Sequence, residues 1–426
     1  MHGVLGTLAT PAHWRWQDFW VIAPRIKEVG RADLQSLSVF LDSGVVPRSS
    51  REDNHNRLGE DLSRYLVVHP NDIVFNKLRT WQGGLGVSKY EGIVSPAYFV
   101  CRPKPSADPR FLHYLLRSSP YLAELTRISK WMPPSQFDTP WEQLRKLPIL
   151  LPAVEEQRRI ADFLDAETAR LDRMMAATRA QHDLVRERDS VAFTESVARV
   201  GGPHLDDLTP KQGGDWPAMP LNRVLRQLTN GYVGPTRDLF VNEGVPYLQS
   251  LHIKHGKVIF SRHPYYVSPA WAAERPRIRL GFEDILIVQT GAIGEVGLVD
   301  ESFVGASCHA LLIARADRSI LRPRFLWHAL RSHWGRHALI REQTGALHPH
   351  LEAGNVRFMK FPIPSLRTQD RVIADTEAIT HDVQTIQLAL GRRLSLQAER
   401  RQALITAAVT GQFDVSTASG RGVDVA

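Results

Sequence analysis

The sequence predicts an α+β fold in which two similar globular domains are separated by two long helices. Three observations predict this fold: a segment that repeats at a fixed offset, two long helical patterns without internal proline, and strand-like runs between them. The two helices are expected to pack as an antiparallel coiled coil, which gives the chain a pseudo-twofold internal repeat. With 426 residues, of which 43% are hydrophobic, the chain is long enough for two or three domain cores.

The repeat is the observation that determines the architecture. The segment "LPAVEEQRR", which begins at Leu151, returns as "IPSLRTQDR" at Ile363, and Gln157 matches Gln369 at an offset of 212 residues. The same offset places "NDIVF" on "EDILI" upstream, and a shift of two further residues places "PRFLHYLLRS" on "PRFLWHALRS". The chain therefore consists of two copies of one unit, each a globular block followed by a helical arm.

This repeat predicts the domain boundaries. The blocks contain β-branched runs broken by Gly, Asn and Asp, which predict strands and turns, and the later "PRFL" segments have helical spacing. The predicted parts are a first globular block at 1–150, a central helical arm at 151–200, a second globular block at 201–362, a C-terminal helical arm at 363–415 and a disordered tail at 416–426.

Each arm is predicted to be one helix. A proline at the second residue of each arm suits a helix start, because the first turn needs no amide donor there. A helix of roughly 45 residues is about 68 Å long, so each arm needs a partner helix, which we expect to be the other arm. The 4,3 spacing predicts a seam in the second arm at Val372, Ile379, Val383, Ile386 and Leu390. The matching first-arm positions form a weaker seam and are Ile160, Glu167, Leu171, Met174 and Thr178.

The positive charge lies in the two blocks. Each block holds 19 Lys and Arg against 14 Asp and Glu, a net charge of +5, whereas 151–200 carries −2 and 363–426 is neutral. This distribution is typical of two polyanion-binding modules on an uncharged frame, although a mildly basic surface would look the same. The sequence contains neither a signal-peptide pattern nor an apolar run of eighteen residues, so we expect a cytoplasmic protein.

Motifs for catalysis and for metal binding are missing from the sequence. It contains no Gly-x-x-x-x-Gly-Lys-Ser/Thr element for an ATP motor and no Asn-Pro-Pro-aromatic element of an amino-methyltransferase. Cys101 and Cys308 are expected to be buried small residues. The neighbouring histidines lack further ligands at a recognisable spacing, so no metal site is predicted. The run "GAIGEVG" is predicted to be a hairpin turn.

The order of a strand pair, a "PRFL" helix and an "EEQRRIADFLD" arm, given twice and ending in "ITAAVTGQ", resembles the specificity (S) subunit of type I restriction-modification systems. The resemblance covers nearly the whole chain. It implies a subunit without catalytic residues, whose two blocks are target recognition domains for the halves of a split, asymmetric sequence in double-stranded DNA. It also implies arms that set the gap and dock two methyltransferase (M) subunits, to which restriction (R) subunits can be added. No cofactor is expected in this chain, since S-adenosylmethionine, ATP and magnesium would bind the partner subunits.

Four loops in the two blocks are predicted to form the DNA-binding face, because base and phosphate contacts need polar and basic donors. In the first block the candidates are Lys77, Arg79, Trp81, Lys130, Trp131 and Gln136, and in the second they are Gln289, Thr290, His348 and His350. The arm residues predicted for subunit docking and spacing are Glu156, Gln157, Arg159, Gln369 and Arg371.

Two other hypotheses remain open at this stage. A coiled-coil scaffold with two protein- or RNA-binding modules would have the same repeat. An intrinsic nuclease would require Asp72 and Asp284 to bind magnesium, whereas their positions favour turns at the ends of strands.

Overall fold

A computed structural model describes residues 3–51, 61–132, 136–203, 205, 216–261, 263–345 and 349–415 of the chain. The predicted tail at 416–426 and the candidate His348 lie outside the described residues. The chain forms two compact units. Unit 1 comprises Met1–Arg179 and Arg392–Ala426, and unit 2 comprises Ala180–Gly391. Each unit thus contains one globular block and a segment of each arm.

Unit 1 has twelve described strands in its globular block: β1 (Arg15–Asp18), β2 (Arg25–Ile26), β3 (Leu37–Phe40), β4 (Gly44–Pro47), β5 (Leu66–Val68), β6 (Ile73–Asn76), β7 (Leu85–Val87), β8 (Gly92–Val94), β9 (Tyr98–Cys101), β10 (Lys130–Met132), β11 (Gln136–Asp138) and β12 (Pro148–Leu151). The helices that begin in this unit are α1 (Phe19–Ile22), α2 (Pro109–Leu116), α3 (Ser119–Ile128), α4 (Trp141–Leu144) and α5 (Val154–Arg199).

The core of unit 1 lies between a sheet and the helix pair α2 and α3. The sheet has the order β2-β9-β6-β7 and is antiparallel throughout. Phe75 from the sheet, Phe111 from α2 and Tyr121 from α3 are fully buried in one cluster. Helix α2 begins at a proline, and the Asp108 carboxylate before it accepts hydrogen bonds from two backbone N–H groups of the first turn.

Unit 2 has fourteen described strands: β13 (Ala218–Pro220), β14 (Leu225–Asn230), β15 (Phe240–Val241), β16 (Val245–Leu248), β17 (Ile253–Lys254), β18 (Lys257–Val258), β19 (Tyr266–Val267), β20 (Ile285–Val288), β21 (Val296–Leu298), β22 (Ser307–Cys308), β23 (Leu311–Ala316), β24 (Gln343–Thr344), β25 (His350–Leu351) and β26 (Lys360–Pro362). Its further helices are α6 (Pro269–Ala273), α7 (Pro323–Arg331), α8 (His333–Arg341), α9 (Ala353–Val356) and α10 (Leu366–Val409).

Unit 2 repeats the architecture of unit 1 and adds a second sheet. Its antiparallel sheet β14-β23-β20-β21 corresponds to β2-β9-β6-β7, and α7 with α8 corresponds to α2 with α3. The added sheet has the order β15-β19-β16-β22 and includes one parallel pair. The predicted α+β class, with strands before helices in each block, is confirmed. The "GAIGEVG" run connects the antiparallel strands β20 and β21, as the predicted hairpin turn requires.

Both arms are single long helices, α5 and α10, and their segments run antiparallel within each unit. In unit 1, Asp172 of α5 binds Arg401 of α10 at 2.9 Å, and Phe163 lies 5.6 Å from Phe413 between ring centroids. In unit 2, Ala192 of α5 packs in a cluster with Ile379 and Val383 of α10. Since residue numbers rise along one helix as they fall along the other, the predicted antiparallel direction is confirmed within each unit.

Several seam positions differ from the predicted ones. Val372, Ile379 and Val383 are buried as predicted, but Ile386 is 43% exposed. In the first arm Met174 is 38% exposed, and its neighbour Met175 is buried instead. Buried first-arm residues follow the spacing of Leu164, Thr168, Leu171, Met175 and Thr178, which is 4,3,4,3. The prediction aligned the first arm on its apolar residues and missed two threonines, whose hydroxyls bond to carbonyls one turn earlier and so can be buried.

The two cysteines are buried, and their thiol pKa values are raised by desolvation. No group of three or more potential metal-ligating residues occurs among the described residues. Among the helices that the structure describes, none combines the length and the apolar composition that crossing a bilayer requires.

Candidate nucleic-acid interface

A buried ion pair fixes the start of the strand that carries the first predicted loop in each unit. In unit 1 the Asp72 carboxylate is 1% exposed and accepts hydrogen bonds from Arg102 Nε and Nη2 at 2.8 and 3.0 Å. In unit 2 Asp284 accepts the equivalent bonds from Arg315 at 2.8 and 2.6 Å. Each carboxylate also accepts a backbone N–H bond. Because these carboxylates are bound by arginine, the geometry favours a structural role over the magnesium site of an intrinsic nuclease.

The same backbone bond joins the two predicted loops in both units. The N–H of Thr139 donates to the carbonyl of Lys77 at 3.0 Å, and the N–H of Leu351 donates to the carbonyl of Gln289 at 3.0 Å. Both members of the second pair lie 212 residues after those of the first. The loop after β6 or β20 is therefore held against the hairpin β10–β11 or β24–β25, so that each unit presents one continuous loop surface.

An aromatic cluster occupies this surface in unit 1. The Phe137 ring lies between two predicted residues, with centroid distances of 4.7 Å to Trp81 and 5.0 Å to Trp131. Trp81 Nε1 donates to the carbonyl of Leu78 at 3.2 Å, which holds its indole in place. Trp131 is 53% exposed. The structure thus brings the two predicted tryptophans together through Phe137, which the sequence analysis did not identify.

The basic candidates of unit 1 differ in their availability. Arg79 and Lys130 are exposed. Lys77 is half-buried, donates to the Pro96 carbonyl at 3.0 Å and lies 4.8 Å from the Phe99 ring centroid. Desolvation and then the charge of Arg25 lower the pKa of Lys77, so its ammonium is the least favourable of the three for a phosphate contact. The side chain of the remaining candidate, Gln136, lies outside the described part of the chain, although its backbone begins β11.

In unit 2 the corresponding surface is polar. Gln289 Nε2 donates to Asn230 Oδ1 at 3.2 Å and to the Leu351 carbonyl at 3.0 Å, so this side chain positions the loops. Thr290 next to it is exposed. His350 Nε2 lies 3.0 Å from Glu352 Oε1, and the ring is partly exposed. Polar donors and acceptors of this kind suit base-edge contacts.

Two residues of this polar surface were missed by the sequence analysis. Asn230 ends β14, and Glu352 follows β25 directly. Asn230 comes from a strand far from the predicted loops in sequence, so only the pairing of β14 with β23 beside β20 could have placed it there. Glu352 lies two residues after a predicted histidine, and the alternation of a short strand places both on the same face.

The two arm glutamines join each arm to its block instead of facing solvent. Gln157 is 1% exposed, and its Oε1 accepts the backbone N–H of Asp108 at 2.8 Å. Its Nε2 donates to the carbonyls of Ser106 and Pro152. Gln369 is fully buried and makes the three equivalent bonds, with Arg322 N–H, Ile320 O and Pro364 O. Because these amides are buried and fully bonded, their side chains cannot contact a partner, and the predicted docking role is corrected to an internal positioning role.

The other arm candidates lie closer to the surface. Glu156 is half-buried and accepts hydrogen bonds from Trp14 Nε1 at 3.0 Å and from His13 Nε2 at 3.2 Å. Arg159 and Arg371 are exposed at equivalent positions of the two arms. Of the five predicted arm residues, these two arginines are the ones whose side chains a partner can reach freely.

Comparison with known proteins was made for the sequence and for the structure. No protein-family model matches the chain. The specificity subunit of the type I restriction enzyme EcoBI of Escherichia coli is 24% identical over 276 residues, which cover 62% of this chain and 58% of that protein. This chain therefore matches less than two thirds of the length of that relative.

Solved structures extend the comparison to almost the whole chain. A chain from a structural study of complex assembly and conformational transition of the type I restriction-modification system aligns with a TM-score of 0.72 and 17% identity, over 95% of this chain and 99% of that chain. The HsdS subunit of Thermoanaerobacter tengcongensis aligns with a TM-score of 0.53 and 19% identity, over 96% and 99%. The resemblance to type I specificity subunits is confirmed. Within this specificity-subunit fold, the repeated bonds described above belong to the frame, and the loop chemistry differs between the units.

Proposed function

We propose that this chain is the non-catalytic specificity subunit of a type I restriction-modification complex, in which each unit reads one half of a bipartite, asymmetric sequence in double-stranded DNA. The observation that carries the proposal is the contrast between frame and loops. The frame bonds of Asp72, Gln157 and Lys77 recur at Asp284, Gln369 and Gln289, but the loops held by that frame are aromatic and basic in unit 1 and polar in unit 2. Such an arrangement supports two readers of different sequences on one scaffold.

Electrostatics supports nucleic acid as the partner. Both blocks carry a net charge of +5, and Arg79 and Lys130 are exposed on the loop surface of unit 1. Phosphate contacts by such residues release counterions, so binding would weaken steeply with salt. Specificity would come from the loop side chains that reach base edges.

The arms are proposed to dock two methyltransferase subunits and to set the gap between the half-sites. In unit 2, Leu184, Ile386 and Leu388 of the arms are 66%, 43% and 66% exposed. Large apolar side chains on a charged helical surface favour a protein partner. Restriction subunits would join through the methyltransferases. S-adenosylmethionine, ATP and magnesium would bind these partners, and the complex would act in the cytoplasm.

The test is the DNA methylation pattern of the host genome, measured by single-molecule sequencing with the gene intact and deleted. We expect one split, asymmetric methylated motif to disappear on deletion. An unchanged methylome in cells that express the protein would contradict the proposal and favour the scaffold that binds protein or RNA.

A second experiment tests the division of labour between the units. Exchange of residues 1–150 for those of another specificity subunit should change one half of the methylated motif and leave the other half intact. A change in both halves would contradict the assignment of one half-site to each unit. Lengthening one arm should alter only the gap.

A further inference from the structure

The hairpins of the two units differ in one chemical respect. In unit 1, Trp131 of β10 lies directly opposite Phe137 of β11. At the offset of 212 residues, the position of Trp131 is occupied in unit 2 by Gln343, which lies opposite Leu351. The described residues of β24 and β25 include no Phe, Tyr or Trp. An exposed aromatic side chain is therefore a property of the first hairpin alone.

The Trp131 indole is held by other rings. Phe137 contacts it edge to face at 5.0 Å with an interplanar angle of 63°, and Trp81 supports Phe137 from the other loop at 4.7 Å. The backbone bond from Thr139 to Lys77 fixes these loops against each other. Trp131 thus presents a large flat surface with little conformational freedom to lose on binding, which is favourable for an anchor residue.

The surroundings of Trp131 suit a polyanion. Lys130 precedes it on the same strand and is exposed, and Arg79 is exposed on the adjoining loop. Asp138 is the cross-strand neighbour of Lys130 and offsets one of these charges. The combination of an exposed indole with cations on both loops fits a nucleic-acid strand better than an apolar protein surface, because bases stack on aromatic rings while cations contact the backbone.

We propose that Trp131 stacks on a base of the first half-site and partly unstacks the base-pair step that it contacts, whereas the second unit reads its half-site without an aromatic stack. This inference rests on the proposed function. Aromatic or apolar side chains can enter a base step when the remaining contacts offset the unstacking. The two half-sites would then be recognised by different chemistry, with local distortion in the first and polar base-edge contacts in the second.

The experiment uses the full chain in complex with its methyltransferase subunits and a duplex that carries the motif identified by methylome sequencing. 2-Aminopurine replaces one adenine at a time in each half-site, excluding the methylated adenines, because its fluorescence rises when it is unstacked. We compare Trp131→Ala with the wild type and with Trp20→Ala. Trp20 is a matched control, because it is 44% exposed in the same unit but lies away from the four loops.

The expected result is a fluorescence rise at one position of the first half-site that is lost in Trp131→Ala and retained in Trp20→Ala. The affinity of Trp131→Ala should fall about tenfold, and Trp131→Phe should restore part of the rise. Thermal unfolding of each variant establishes that it is folded. Equal fluorescence and affinity for Trp131→Ala and Trp20→Ala would overturn the stacking proposal while leaving DNA reading intact. A wild-type complex that does not distinguish the motif duplex from a scrambled one would instead overturn the proposed function.

Discussion

Gln157 accepts the backbone N–H of Asp108 at 2.8 Å, and this bond connects the first turn of an arm to the N-terminal cap of the helix that packs under the sheet. Gln369 forms the same bond at the same distance with Arg322 in unit 2. The arm of each unit is therefore positioned by one buried amide.

Replacement of Gln157 by alanine should destabilise unit 1 by about 2–4 kcal/mol, because three buried backbone groups lose their partner. The equivalent substitution of Gln369 should have a similar effect on unit 2. The measurement is the free energy of unfolding in urea. Gln181→Ala is the matched control on the exposed face of the same arm and should change that energy by less than about 0.5 kcal/mol. Loss of partner binding without loss of stability would contradict the internal role.

Replacement of Arg102 by methionine should cost about 2–3 kcal/mol, since the Asp72 carboxylate would remain buried without its cation. This is less than for a fully buried pair, because the arginine side chain is 42% exposed. The double variant Asp72→Asn with Arg102→Met should recover part of the loss. Arg31→Met, in an exposed pair with Asp33, is the control and should be nearly neutral. Equal effects of Arg31→Met and Arg102→Met would rule out a special role for the buried pair.

Acidification should destabilise unit 1 through His113. Burial, and then the nearby charge of Arg117, lower the pKa of His113 to about 4, and no described residue bonds its buried Nδ1. The unfolded chain binds a proton near pH 6.5 but the folded chain does not, so the stabilisation is present above pH 6.5 and declines as the pH falls towards 4, by at most about 1.4 kcal/mol per unit. His113→Phe should flatten the pH dependence of the unfolding free energy in this window. An identical slope for variant and wild type would contradict the assignment.

Replacement of Leu388 by glutamate should abolish methyltransferase binding without unfolding the chain, because this side chain is 66% exposed on the arm. Co-purification followed by size-exclusion chromatography measures the loss. Gln384→Glu, which introduces the same charge at another exposed arm position, is the control and should retain more of the partner. Full retention by Leu388→Glu would place the docking surface elsewhere.

The double variant Arg79→Ala and Lys130→Ala should weaken DNA binding on all sequences and reduce the slope of log K against log salt by about 1–2. Fluorescence anisotropy at several salt concentrations measures this slope. Arg226→Ala with Arg277→Ala, two exposed arginines of unit 2, serves as a charge-matched comparison. If the slope is unchanged in the first variant, the unit 1 loops do not contact phosphates.

The sequence predicted the repeat, the arms and the positions of the loops, because a gap-free offset transfers every structural argument from one copy to the other. It did not predict Phe137 or Asn230, since their contacts depend on how strands and hairpins adjoin in space. The misplacement of Met174 and Ile386 has a related cause: apolar spacing alone does not determine the seam when threonine occupies buried helix positions. The buried role of Gln157 was also missed, because a polar residue after two glutamates resembles a solvent-facing position.

The composition of the two units has a consequence for synthesis on the ribosome. Unit 2 is a continuous stretch, residues 180–391, whereas unit 1 needs residues from 392 onwards to complete the cluster that includes Ile405 and Val409. Its first part emerges earlier but must wait, with apolar surface uncovered, until all of unit 2 has been translated. Since chains elongate at about 5–20 residues per second, this interval is on the order of 10–40 s. During nascent-chain growth the earlier-made unit is therefore the later one to close, and it is the one with the greater need for a chaperone.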